Sequence, residues 1–255
     1  MPEWCWNQAN AQRPGQDLPR CAAQNIEVYS VSYSDCPDQD PWVVCRCSDA
    51  QLSVDEMVTK FGRLPPGLRS YVRHFFVFDG TDANGNIGLS AGSSDDCIAF
   101  VGPCGDSVFM HEAAHSIDRE FHNSEAFQQA MQSDSCLPTH YSRTSPAELF
   151  AEDSVAWIYN RNSKPLADRG YEPSCMANQL RAVGDYVGNE YTLSTSKCFT
   201  RRPNSPIINP AQIMTTMKQG YYVSDIVLED FGGEGRVGAS SVNSRRSQLD
   251  TDRWF

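Results

Sequence analysis

His111-Glu112-Ala113-Ala114-His115 is the stretch on which the reading of this 255-residue chain turns. Residues i and i+4 of an α-helix share one face, one turn apart. Two imidazoles so spaced can reach one ion at Zn–N distances of about 2.0–2.1 Å. Glu112 follows the first histidine and can lean toward the same pocket, where a carboxylate could take a proton from zinc-bound water. H-E-x-x-H is the pattern of a hydrolytic zinc site. The chain has five histidines and two of them stand here. A surface helix that happens to carry two histidines is the plainer reading. The pattern predicts a helix over 107–122 with Val108, Ala114, Ile117 and Phe121 on its core face.

A catalytic zinc usually has three protein ligands and leaves the fourth position to water. His122 would lie about 10 Å along an unbroken helix from His115, at 1.5 Å per residue, and is rejected as the third. Glu148, in Ala147-Glu148-Leu149-Phe150-Ala151-Glu152-Asp153, is the better candidate. On a second helix, Glu148 could bind zinc while Glu152, one turn on, accepts a hydrogen bond from a ligand imidazole and orients it. The competing readings are a capping box of Ser145 with Glu148 and a solvated helix face for Glu152. Thr144 could cap instead and release Glu148. The apolar Leu149-Phe150 and Val155-Ala156-Trp157-Ile158 point to a buried helix, in which carboxylates need a partner.

His-Glu-Ala-Ala-His, followed by the run from Tyr141 to Glu152, resembles the gluzincin zinc metallopeptidases, and most of all the anthrax lethal factor and Pro-Pro endopeptidase group. The resemblance covers roughly residues 95–160, with Ala114 where the group commonly has Gly. It implies an α+β, zincin-like metallopeptidase domain: a small mixed sheet beside the motif helix, a mainly helical second lobe and a disulfide-rich start. It further implies a secreted zinc endopeptidase, of fungal type. His111, His115 and Glu148 would hold Zn²⁺, and Glu152 would support them. Glu112 would act as general base, and Tyr141 would donate to the developing oxyanion. A non-proteolytic zinc amide or ester hydrolase and a secreted zinc-binding effector without turnover are the alternatives. The expected partner is a peptide or protein substrate, received by strand addition at Ile98-Ala99-Phe100.

Ten cysteines, even in number and without a C-x-x-C pair, predict five disulfides and an oxidising compartment. Cys97 and Cys104 bracket a short loop and are expected to pair; Cys45 and Cys47 are expected in two different bridges. A net charge of -11 argues against nucleic acid. Phe75-Phe76-Val77-Phe78, the longest strongly apolar run, is too short to span a bilayer. A secreted monomer is expected, with the signal peptide absent from this chain. The organisation expected is one domain over 1–255. It comprises a loop-rich, disulfide-stapled lead-in (1–50), the sheet and motif helix (51–122), a helical lobe (123–231) and a polar tail (232–255). Ser53-Val54-Asp55-Glu56 caps a short helix, 71–78 and 97–101 read as strands, and further helices are expected from 145 to 159, over 175–187 and over 210–217.

Overall fold

All five residues of His74–Phe78 (β3) are buried, and a strand covered on both faces belongs inside a sheet. In the computed structural model, which describes residues 1–13, 15–209 and the backbone of 217–223, β3 does lie inside one. It runs parallel to β2 (Trp42–Cys47) on one side and to β5 (Cys97–Val101) on the other. With β1 (Ile26–Tyr33), β4 (Ser90–Ser94) and β6 (Met217–Val223), the sheet has the order β4-β5-β3-β2-β1-β6. The pairs β1–β2 and β4–β5 are antiparallel, and β1–β6 is parallel, so the sheet is mixed. The hairpin between β4 and β5 turns at Asp95 and Asp96, both at positive φ, as a two-residue hairpin of the primed type requires.

Strand alternation divides the interior in two. Phe75 and Val77, with Tyr29, Val31, Tyr33, Trp42 and Val44, face the larger core; Phe76 and Phe78, with Ile26, Val28, Cys45 and Cys47, face the smaller one. The smaller core is closed by α1 (Glu3–Asn10) and by the Cys5–Cys45 and Cys21–Cys47 bridges. Cys45 and Cys47 do anchor separate bridges. The first fifty residues are no loop-rich lead-in, however. Of their five cysteines, Cys45 and Cys47 point from strand β2 into a core, and β1 and β2 are both interior strands of the sheet.

The larger core is covered by α2 (Val54–Gly62), which starts in the Ser53–Glu56 capping box, by α3 (Pro66–Tyr71), and by the helical part of the chain. That part holds α4 (Asp106–Asp118), α5 (Glu125–Ser133), α6 (Pro146–Asn162) and α7 (Ala177–Val187). The expected strand over 71–78 begins only at His74, because Tyr71 ends α3. The class is α+β. The Cys136–Cys175 bridge ties the loop after α5 to the approach to α7, and Cys36–Cys198 ties the loop after β1 to the chain beyond α7. Residues 206–208 return to the N-terminus, where the Glu3 amide donates to the Pro206 carbonyl at 2.7 Å and Ile208 to Met1 at 3.0 Å. The helix expected over 210–217 lies outside the described residues except for Met217, which opens β6; the tail from 232 lies outside them altogether. Among the described residues no helix is long and apolar enough to cross a membrane.

Four disulfides form, not five. Cys97 and Cys104 are free and buried. Cys97 opens a fully extended strand and Cys104 lies beyond its far end, and four steps at about 3.3 Å carry the chain about 13 Å, past the Cα separation of about 7 Å that a disulfide spans. Unfolding in denaturant without reductant, followed by alkylation and peptide mapping, should label Cys97 and Cys104 and leave the other eight cysteines unmodified. Label on any of those eight would contradict the pairing.

Candidate metal centre

The motif helix α4 packs its buried Phe109, Met110, Ala113, Ala114 and Ile117 inward. It stops at Asp118, short of the expected 122, because Arg119 and Glu120 both adopt the left-handed conformation. The Tyr186 hydroxyl of α7 lies 2.9 Å from the carbonyl oxygens of both Ile117 and Asp118 and caps this last turn. His122 is therefore off the helix, with its Nδ1 against the Asp118 carboxylate. It takes no part in the cluster formed by His111, His115 and Glu148.

On α6, Ser145 is the N-cap and Thr144 is not. The Ser145 hydroxyl accepts from the Glu148 amide at 3.2 Å. The cap thus uses the backbone of Glu148 and leaves its carboxylate free to face α4. Glu148 Oε2 lies 2.8 Å from His111 Nε2 and 3.4 Å from His115 Nε2. The ligand atoms of these three residues all lie within 4.8 Å of one another, the one such cluster among the described residues. Four ligands about 2.0–2.1 Å from a tetrahedral ion stand about 3.3 Å apart, so the spacing suits one cation. The two imidazoles meet at 79° with centroids 5.0 Å apart. Glu152 Oε1 is 2.8 Å from His111 Nδ1, the position from which a carboxylate fixes the tautomer and tilt of a ligand ring.

Electrostatics follow from the crowding of carboxylates. Burial opposes a charged His111, but hydrogen bonds to Glu148 and Glu152 outweigh it and raise the imidazole from 6.5 to about 10. Burial would raise Glu148 too, yet His111 and His115 hold it well below the usual carboxylate range. Glu112 is buried in the same pocket, and desolvation pushes its carboxyl up against the pull of the two histidines. Tyr141 is brought to the cluster from the loop before α6. Its ring centroid is 5.7 Å from that of His111, its hydroxyl bonds to Glu148, and burial with the carboxylates around it raises its pKa. Two participants escaped the sequence reading. One is Ser93 of β4, which hydrogen-bonds Glu112; the other is Tyr186. Neither lies in a patterned motif, and only the packing of β4 and α7 against α4 reveals them. The strand-addition site at Ile98-Ala99-Phe100 is corrected, since β5 is paired on both sides and β4 is the edge.

In the metal-free protein, His111 carries a proton between two carboxylates. A raised His111 stabilises the fold fully below about pH 6.5 and loses that contribution as pH rises toward about 10. A lowered Glu148 stabilises it above its ordinary 4.5 and loses that contribution as pH falls. The Tm of the chelator-treated protein should therefore peak between about pH 5 and 6.5. Substituting His111→Gln should flatten the alkaline limb, and an unchanged limb would refute the buried charge.

A model of the family described as Con-13, conidiation-specific protein Con-13, matches residues 2–199. Conidiation-specific protein 13 of Neurospora crassa is 30% identical over 174 residues, which are 64% of this chain and 48% of that protein. The chain thus spans about half the length of that curated relative. These matches overturn the resemblance to the gluzincin metallopeptidases. The resemblance took in roughly residues 95–160, whereas the family match takes in α1, β1 to β5 and α2 to α7. Its description is of a conidiation-specific protein and not of a peptidase. The zinc endopeptidase activity is corrected with it. The matches do not favour the non-proteolytic hydrolase or the effector either. His111, His115, Glu148, Glu152, Glu112 and Tyr141 stand together as the sequence expected; what falls is the activity assigned to them.

Proposed function

This chain belongs to the Con-13 family, and from that premise we propose that it is a metal-binding protein of conidiation, holding one zinc ion between α4 and α6. The observation that carries the reading is Glu148 Oε2 at 2.8 Å and 3.4 Å from the Nε2 atoms of His111 and His115. Two imidazole nitrogens favour a transition metal over calcium or magnesium, and two His with one carboxylate suit zinc. Zinc would supply the positive charge on which Glu112, Glu148 and Glu152 converge. His111, His115 and Glu148 would bind it, joining two helices far apart in sequence, and Glu152 would keep His111 Nε2 turned toward it through Nδ1. The proton now on His111 would leave, which makes affinity fall with acidity. A motif helix beside a mixed sheet, completed by a carboxylate from a second helix, is zincin-like in this geometric sense alone.

The setting in conidiation comes from the name of the Neurospora crassa relative. Four disulfides support an oxidising, extracellular compartment. A net charge of -11 supports a partner other than nucleic acid.

Zinc content measured by mass spectrometry after reconstitution and desalting should be about one ion per chain, as expected for one such cluster. His115→Ala and Glu148→Ala should lose it, while Glu152→Gln should keep it with affinity weaker by about 10–100-fold. Wild-type protein that holds no zinc, or zinc retained in both ligand variants, would refute the assignment.

A further inference from the structure

The four disulfides differ in what lies against their sulfurs. Cys5–Cys45 and Cys21–Cys47 are sealed in the smaller core, where no outside thiol reaches them. Cys136–Cys175 is half-buried, but Cys175 Sγ lies 3.0 Å from the Glu172 carbonyl oxygen, a neighbour that opposes negative charge on sulfur. Cys36–Cys198 combines access with a cation. Cys198 is half-buried, while Cys36 Sγ lies 3.0 Å from Nη2 of Arg69. Arg69 is fully buried; it pairs with the Asp35 carboxylate, donates to the Gly62 carbonyl at 2.6 Å and stacks 4.3 Å from the Tyr33 ring centroid. A guanidinium keeps its proton through such burial, and a neighbouring cation favours thiolate over thiol.

We propose that Cys36–Cys198 is a thiol–disulfide exchange site for a dithiol reductant, with Arg69 stabilising Cys36 as the leaving thiolate. One thiolate of the reductant attacks Cys198 Sγ, the Cys36–Cys198 bond breaks, and its electron pair goes to Cys36 Sγ beside Arg69. The second thiol of the reductant, deprotonated to water, attacks the reductant sulfur of the mixed disulfide and expels Cys198, which takes up a proton. The protein has gained two electrons and the reductant has become a cyclic disulfide. A more acidic leaving thiol departs faster. The bridge closes a sequence separation of 162, which favours it at equilibrium; the guanidinium acts on the rate. Once the bridge is open, the strap beyond Cys198 is held by noncovalent contacts alone. These include Phe199 N to Ser70 Oγ at 3.2 Å, Arg201 stacked 4.3 Å from the Trp42 ring centroid, and Ser205 N to His74 Nε2 at 2.9 Å.

The test is partial reduction of the folded, full-length chain with limiting dithiothreitol, quenched over time by alkylation and read by peptide mapping. Cys36 and Cys198 should become labelled roughly tenfold faster than Cys136 and Cys175, and a monothiol in place of dithiothreitol should be trapped on Cys198 and not on Cys36. Arg69→Met should remove that lead if the variant folds, and the order in the wild type decides the question if it does not. Earlier opening of Cys136–Cys175, simultaneous opening of both pairs, or trapping on Cys36 would overturn the proposal.

Discussion

A strand buried on both faces commits the chain to covering two sides of one sheet, and β3 is that strand. Its Phe75 and Val77 demand one apolar layer and its Phe76 and Phe78 another. The helices supply the first. The second is thin, since α1 has eight residues, and two disulfides reinforce it by fastening α1 and the following loop to adjacent inward positions of β2. A small core depends on such covalent staples where apolar area alone is short.

The same sheet sets the place of the cluster of His111, His115 and Glu148. β5 leads through a short turn into α4, which packs on the larger core with Ala113 and Ala114 fully buried at its waist. α6 packs against it and brings Glu148 and Glu152 to the two histidines. Three carboxylates and two imidazoles at a helix seam repel or bind according to what neutralises them, because an unpaired buried charge is costly. The proton on His111 serves in the metal-free protein, and a cation could take its place. Tyr186 and the Asp96 ion pair with Arg119 hold the C-terminal end of α4 from outside.

Legibility in the sequence followed the range of the interaction. The i, i+4 spacings in α4 and α6 and the Ser53 capping box are local, and they are found where expected. In the first fifty residues, five cysteines and many polar residues mask the alternation of Tyr29, Val31 and Tyr33, which belongs to a strand. Cys97 and Cys104 are close in sequence, but an extended strand separates them. The resemblance to metallopeptidases erred in another way. It rested on about a quarter of the chain, and a local motif places side chains together without specifying what they do.

By itself the sequence determined the two helices that carry the histidine and carboxylate cluster, the side chains each contributes and the oxidised state of most of the cysteines, since these depend on spacing of a few residues or on composition. Tertiary structure decided which helix faces meet, that Ser145 caps α6 and so frees the Glu148 carboxylate, which cysteines pair, and that Arg69 lies against Cys36. Each of these brings together groups that are distant in the chain or resolves a competition for one side chain. Such outcomes depend on the packing of the whole sheet and its helices, which no short window of sequence contains.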